Sequence, residues 1–319
     1  MTAVTGSSRA FARPDVVPVN PTQMSQPAFL LNAPFSYSTE IANNIWMEEI
    51  AEAARVPDHH KAMAQFMSLY NHFAAEAFVA VLPTPRVTGL QDLVFTANLG
   101  LVLDHLPDRN TVLISNFTSD PRKAETQVGV DFFRSMGYEA IVPPTRFEGE
   151  AEIKHLHDNV YVGGHGLRSD PETYDWMASN FDMTVVKLRM TDPYLYHLDC
   201  SVFPVTRDRT LVCTALYERA ELAELERYTE IIDVSVADCY AGICNSVRLN
   251  NTVLISSHLH HLRAGTEEYE RERSKDQRIE EIASSLALDV HHVDLAEYEK
   301  GGASLSCLVM HLNRVSYES

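Results

Sequence analysis

Cys307 stands five residues after a glycine pair, in the stretch EYEKGGASLSCLVMHL (297–312), with an apolar strand-like run behind it. A cysteine in such a place is either a small buried hydrophobe, the ordinary fate of a free thiol, or a group set where the chain turns so that it can react. Three other stretches put polar groups where a strand or hairpin should turn inward: Asp92 and Asn98 in QDLVFTAN, Glu148 in RFEGEAE, and His197 with Asp199 in YHLDCS. Two residues apart on a strand-like segment, His197 and Asp199 share a face. An imidazole and a carboxylate on one face suit proton transfer beside a positively charged substrate. Each group taken alone has a plain structural explanation, because strand histidines are often structural and acids in turns are usually solvated. Only a fold that brings them to one place gives them chemistry in common.

A repeat supplies such a fold. Four apolar runs follow polar turns: TVLIS at 111–115, VYVGG at 160–164, TLVCT at 210–214 and TVLIS at 252–256. Each is preceded by another strand-like stretch (TANLGLVLDHL, EAEIKHL, DCSVFPV, GICNSVRL), and the Asp and Asn residues between them read as hairpin turns. Each hairpin leads to a helical segment, such as RKAETQVGVDFFRSMG, and then to one more strand, such as EAIVPP. The unit is strand, strand, helix, strand, repeating every 40–50 residues or so, a period found in propeller-like arrays. The chain ends supply a fifth unit: a strand AFLLN, a helix around HKAMAQFMSLYNHFAAE and a strand AFVAVLP near the start, and a final hairpin SLSCLVMHLNRV. The expectation is a five-bladed α/β propeller of ββαβ units forming one catalytic domain over residues 27–319, with residues 1–26 a flexible tail.

Composition narrows the partners. Among 319 residues, 44 are Asp or Glu and 26 Lys or Arg, a formal charge of −18. That balance argues against nucleic acid or an anionic membrane surface. No apolar run reaches the roughly 18 residues of a membrane span, and the N-terminal stretch lacks the apolar block of a signal peptide. Five cysteines (200, 213, 239, 244, 307) with no CxxC spacing fit a reducing cytoplasm. His258, His260 and His261, with His155 and His157, resemble metal-ligand clusters, but no Cys or carboxylate spacing completes a structural zinc site, so no metal is expected. No glycine-rich phosphate loop and no GxSxG is present. No cofactor is expected, and self-association into a homo-oligomer stays open.

The ordered set NIWMEE, DLVFTANLGLV, PRKAE, FEGEAE, GLRSD, YHLDCSVFPV, CNS and EYEKGGASLSCLVMHL, spanning residues 28–315, resembles the guanidine-modifying, or amidinotransferase (pentein), superfamily. FTAN and NIWM look most like its arginine dihydrolase branch, which converts arginine to ornithine, carbon dioxide and ammonia. Deiminases and amidinotransferases usually carry Asp where this chain has Asn98, and dimethylarginine hydrolases typically lack the HxD form. The resemblance implies the five-unit propeller and the following roles. Cys307 matches the nucleophile, His197 the acid/base, and Glu148 the carboxylate that orients and charges that histidine. Asp199 and Asn98 match the groups that grip the guanidinium. Arg122 and Arg168 align with residues that bind the substrate carboxylate, and Asp92 and Asn44 with residues at its amino-acid end.

The chemistry implied is attack of Cys307 on the guanidinium carbon, protonation of the leaving nitrogen by His197, and hydrolysis of a covalent thiouronium. Glu148 is expected to raise the histidine pKa. Asn98, an amide where relatives place a charge, would tolerate the neutral ureido product of a first hydrolysis and so permit a second. Amidino transfer to an amine, a single deiminase- or dimethylargininase-type hydrolysis, and an inactive guanidino-binding propeller are the alternatives. Two departures stand out. EGEAE, with Glu152, replaces a common EGxGD, and ASLSC replaces GSAKC, removing a lysine beside the thiol. Both leave room for a modified or longer guanidino compound as substrate.

Overall fold

The computed structural model describes residues 20–318. Fifteen short strands form five separate three-stranded sheets. The first sheet joins the two ends of the chain: β1 (Ala28–Leu31) lies parallel to β2 (Phe78–Val81) and antiparallel to β15 (Met310–His311). The second holds β3 (Gly100–Val102), β4 (Thr111–Ile114) and β5 (Glu139–Ile141). The third holds β6 (Ile153–His157), β7 (Val160–His165) and β8 (Thr184–Arg189). The fourth holds β9 (Val202–Pro204), β10 (Arg209–Val212) and β11 (Glu230–Asp233). The fifth holds β12 (Val247–Leu249), β13 (Thr252–Ser256) and β14 (Asp289–Val293).

Sheets two to five repeat one pairing: the first strand antiparallel to the second, the second parallel to the third. A parallel neighbour needs a crossover, and the helices Lys123–Ser135, Pro171–Asn180, Arg219–Leu225 and Glu267–Ser285 provide it. Helix His59–Ala74 does the same between β1 and β2. Asp158 and Asn250 take left-handed φ of 46° and 53° in their hairpin turns, as Asp and Asn tolerate.

Two expectations need correction. The final SLSCLVMHLNRV is not a hairpin: Ser306–Leu308 is a one-turn 3-10 helix, and only Met310–His311 pairs, against β1. The supposed tail is packed over residues 20–26. The Thr22 hydroxyl meets the Tyr138 hydroxyl at 2.6 Å, and the Asn313 amide donates to the Gln26 carbonyl at 2.9 Å. Residues 1–19 lie outside the described part.

The segments leading into the first strands of four sheets are 3-10 turns rather than strand. They are Thr96–Asn98, Gly149–Ala151, Leu198–Cys200 and Ser306–Leu308. His197 and Asp199 therefore do not share a strand face. His197 is the extended residue entering a turn, and Asp199 lies within it. These turns pack on one another without room to spare. A Cβ on Gly149, whose φ is +65°, would stand 2.5 Å from the Ala97 carbonyl oxygen. Glycine is thus the only residue that lets the turn after Glu148 close onto the turn bearing Asn98.

Candidate active site

The four turns bring Asn98, Glu148, His197, Asp199 and Cys307 together, each from an equivalent place in a different sheet except for the His197–Asp199 pair. One cavity is lined by Cys307, His197, Asn98, Asp92, Arg122, Arg168 and Asn44, and also by Asn43, Phe95, Tyr196, Gly301 and Ala303. Seven of the nine residues singled out from sequence line this cavity directly. Glu148 and Asp199 stand immediately behind its wall.

Glu148 and His197 are hydrogen-bonded: the imidazole Nε2 donates to the Glu148 Oε2 at 2.8 Å. Nδ1 then remains as the acceptor, 3.4 Å from the Asn98 amide nitrogen. Burial would raise the Glu148 pKa. The His197 hydrogen bond and the positive Arg168, whose Nη1 lies 3.8 Å away, instead hold it at about 2. Burial also dominates at His197 and lowers its pKa despite Glu148. The sequence led us to expect the opposite net direction. Glu148 does pull upward, but desolvation of a fully enclosed ring outweighs it. The resting imidazole is therefore neutral, and its Nδ1 lone pair, held only by the long contact to Asn98, can take a proton.

The Cys307 sulfur lies 3.4 Å from the Asn245 amide nitrogen and 3.5 Å from Asp199 Oδ2. Burial, then the Asp199 charge, push the thiol up to about 12. Asp199 Oδ2 also accepts the Ser306 hydroxyl at 2.5 Å, so the carboxylate is fixed against the sulfur.

At the far end of the cavity the expected amino-acid contacts are differently employed. Asp92 accepts from Gln91 at 3.2 Å and from the Asn43 amide through Oδ2, while its buried Oδ1 has no partner among the described residues. Burial raises its pKa, against the pull of Arg122. Arg122 is bound to Glu125 at 2.7 Å and to the Asp92 carbonyl at 3.2 Å, and stacks over Phe117, leaving Nη1 outside these bonds. Arg168 donates to the Asn43 carbonyl at 2.6 Å and lies 5.0 Å above the Tyr196 ring. Asn44 is spent on structure: its oxygen caps the helix Ile45–Glu49 and its amide holds the Gly301 carbonyl at 2.9 Å. Gly302 is needed opposite it, since a Cβ there would fall 2.5 Å from Asn44 Oδ1 at a φ of +74°.

The segment around Asn43 and Asn44 closes the mouth. Tyr196 reaches the Gly302 carbonyl at 2.7 Å, and Trp46 reaches the Tyr194 carbonyl at 2.8 Å. The enclosed space, about 20 Å³, is enough for a single water.

Sequence reasoning assigned no role to Asn245, Ser306, Asn43 or Tyr196. Asn245 lies in the CNS motif, and its position in the turn before β12 was the available signal. Glu152 is fully buried with neither carboxyl oxygen bonded among the described residues. Burial and the neighbouring Glu148 and Asp199 raise its pKa well above the ordinary range, so it is a neutral acid. Among the described residues, the donors of His260, His261 and Asp294 come within 4.8 Å of one another in a mostly exposed group in the turns just after β13 and β14, while His155 and His157 lie in the third sheet. No described helix is long and apolar enough to cross a membrane.

The chain is 29% identical to an uncharacterized Caenorhabditis elegans protein over 291 residues, covering 89% of this chain and 92% of that protein. It is 26% identical over 289 residues to the bifunctional arginine dihydrolase/ornithine cyclodeaminase of a Nostoc strain, spanning 88% of this chain but only 37% of that protein. It is 24% identical to the N(G),N(G)-dimethylarginine dimethylaminohydrolase of Mycobacterium tuberculosis, over 89% of this chain and 85% of that protein. The crystal structure of unliganded AgrE superposes with a TM-score of 0.77 at 24% identity, over 90% of this chain and 39% of that one. A dimethylarginine dimethylaminohydrolase adduct superposes with a TM-score of 0.63 at 17% identity, over 90% and 99%. The same mixed α/β fold is thus found in both. The model of eukaryotic N,N dimethylarginine dimethylhydrolase matches residues 32–314, so the HxD form does not keep the chain out of that group. With nearly the whole described chain inside that match, this protein belongs to the N,N dimethylarginine dimethylhydrolase family, whose members hydrolyse amidine C–N bonds.

Proposed function

We propose that the protein is a cysteine-dependent hydrolase of free arginine or a close guanidino relative, working by two rounds of hydrolysis to ornithine, and that its five sheets close into a single propeller domain around the site. One observation carries this reading: Cys307, neutral His197 with Nδ1 as its acceptor nitrogen, and the Asn98 amide line one cavity. A thiol pushed up to about 12 is inert in the resting protein. A guanidinium seated over the sulfur supplies the missing charge. An opposite unit charge at about 4 Å contributes about 4 kcal/mol at an effective dielectric near 20, roughly three pKa units. The cation also neutralises Asp199, which opposes the thiolate. Arginine thus activates its own nucleophile, and water or thiol reagents find a protonated sulfur.

Cys307 gives its proton to His197 and attacks the guanidinium carbon. The imidazolium, held by Glu148, returns that proton to the departing nitrogen, and ammonia leaves. The thiouronium remains. His197 then deprotonates a water that attacks the carbon, and the thiol is released with a ureido product. Asn98 offers that neutral product hydrogen bonds without an unbalanced charge, which favours a second round. Asp92 Oδ1 is free to accept the substrate ammonium, and Arg122 Nη1 to meet its carboxylate. A second reading, removal of methylated amine from dimethylarginine, is favoured by the family match.

Incubation with L-arginine and, separately, with dimethylarginine, reading ornithine, citrulline, ammonia and dimethylamine, separates the two. Ornithine with two ammonia per arginine, absent in Cys307→Ser, supports the dihydrolase. Dimethylamine release alone replaces it with the second reading. No turnover and no covalent mass on Cys307 after a haloacetamidine refutes both.

A further inference from the structure

Four of the five sheets send a polar group to the site from a 3-10 turn. The remaining sheet has a turn in the corresponding place, residues 241–245 ahead of β12, and its polar residue is Asn245. The turn is fixed from behind. The Asn245 N–H donates to the Gly242 carbonyl at 3.0 Å, and Ile243 and Cys244 are buried in the hydrophobic cluster beneath it. Asn245 itself is buried and does not line the cavity that Cys307 lines.

The two amide atoms of Asn245 are committed differently. Oδ1 accepts the Ser306 backbone N–H at 2.9 Å, a place the amide nitrogen cannot take because it only donates. Nδ2 is therefore the atom turned to the next residue. It lies 3.4 Å from the Cys307 sulfur, with Oδ1 farther off at 3.8 Å. On the other side of the sulfur stands Asp199, whose Oδ2 is 3.5 Å away and accepts the Ser306 hydroxyl at 2.5 Å. Ser306 is thus clamped by its backbone to Asn245 and by its side chain to Asp199, and the sulfur sits between an N–H donor and an anion. The two act in opposite senses. The carboxylate favours S–H, whereas an N–H bond to sulfur strengthens when the sulfur is charged. The amide does not titrate, so this donor is present at every pH. The Ser304 backbone N–H acts in the same sense, but only the Asn245 side chain can be removed by substitution.

We propose that Asn245 is a further catalytic residue, the side-chain donor that holds the Cys307 sulfur as a thiolate on either side of the covalent intermediate. The proposal rests on Cys307 being the nucleophile. Before attack, the S–H proton passes to His197, the contact of S–H with Asp199 is lost, and the Asn245 N–H remains on the charged sulfur. After water has added to the thiouronium carbon, the C–S bond breaks with its electron pair passing to sulfur. The same N–H meets that charge until His197 returns a proton to the sulfur. Because Asn245 does not line the cavity, its effect falls on the sulfur and not on substrate binding.

Alkylation of Cys307 by iodoacetamide, followed by mass spectrometry, tests it. A hydrogen bond to a charged group shifts a pKa by roughly one to two units. With about 1.5 units lost, Asn245→Ala has about 30-fold less thiolate and regains about fivefold in nucleophilicity, so alkylation is expected to run about sixfold slower. Arginine turnover is expected to fall in kcat with KM within about twofold of wild type. Asn245→Asp keeps an oxygen for the Ser306 N–H and puts an anion where the donor was, and is expected to be slower still. Slow alkylation in Asn245→Ala, with the Ser306–Cys307 turn unmoved in the crystal structure of that variant, supports the donor role. Slow alkylation with the turn displaced assigns the loss to the Ser306 anchor and overturns it. A wild-type rate in either variant also overturns it, and Asn245→Asp decides alone if the alanine variant does not fold. Turnover that persists in Cys307→Ser overturns the nucleophile, and with it any catalytic part for Asn245, whereas the alkylation rates still report the donor.

Discussion

Asp199→Asn separates the reactivity of the thiol from the turnover of substrate. Asparagine keeps the shape and an oxygen to accept the Ser306 hydroxyl, so the change is one of charge. The carboxylate oxygen lies 3.5 Å from the sulfur. At an effective dielectric of about 20, a like charge at that distance costs the thiolate about 4.7 kcal/mol, roughly 3.5 pKa units. That figure is an upper bound, because burial is the larger share of the rise from 9.0 to about 12 and stays in the variant. The working figure for the Asp199 charge is therefore about 1.5 units. Near pH 7.5 the thiolate fraction then rises about 30-fold. A weaker base is also a weaker nucleophile, and over about 1.5 units that takes back about fivefold. The net expectation is alkylation of Cys307 by iodoacetamide about sixfold faster in the variant. Arginine turnover moves the other way, because the bound guanidinium loses a counter-charge and KM rises. The assay is mass spectrometry of the Cys307 peptide, paired with ornithine release. Alkylation equal to or slower than wild type would refute the claim that Asp199 holds the sulfur protonated.

Asn98→Asp is expected to lower the ratio of ornithine to citrulline formed from arginine, because a second carboxylate binds the cation but disfavours the neutral ureido group; an unchanged ratio removes Asn98 from the choice. Glu152→Gln is expected to stabilise the protein progressively as pH rises. The buried acid keeps its proton where the unfolded chain has lost it, so wild-type stability falls with pH above the usual carboxyl pKa, by up to about 1.4 kcal/mol per unit until the buried group ionises. Urea midpoints of wild type and variant should coincide near pH 4 and diverge by pH 8; parallel curves would show Glu152 ionised in the fold. Gly149→Ala is expected to cost about 2 kcal/mol or more, from the left-handed φ and the Ala97 carbonyl at 2.5 Å from the new methyl. Its urea midpoint should fall, with arginine turnover falling further, because the same contact positions Asn98 and Glu148.

The repeat was legible because hairpin turns and alternating apolar runs are local properties. TVLIS after DRN and TVLIS after LNN carry their own pairing signal, and the structure pairs β3 with β4 and β12 with β13 accordingly. The 3-10 turns were not legible. YHLDCS alternates polar and apolar like a strand, and nothing within it says that His197 and Asp199 diverge. That outcome is set by neighbouring turns from other sheets, and only Gly149 left a mark of the crowding. The short β15 was misread for a related reason: its partner, β1, lies some 280 residues away, beyond the reach of a local pattern. The direction of the His197 pKa was missed because charge partners can be guessed from motifs, whereas enclosure depends on the whole packed chain.

The same reasoning accounts for where the reactive groups ended up. A strand side chain is committed to one face of its sheet. A turn just ahead of the strand is not: it can aim a side chain along the strand axis, off the end of the sheet. Four sheets with such turns hold five polar groups in one small volume, anchored by hydrophobic clusters that each join two neighbouring sheets. Such a site needs no long loop and little conformational entropy to assemble. Its cost is enclosure, which drives the Cys307 thiol and the His197 imidazole toward their neutral forms and leaves Glu152 protonated. A cationic head group offsets that cost at the sulfur. The burial that disables the resting thiol is therefore what makes its activation depend on a bound guanidinium.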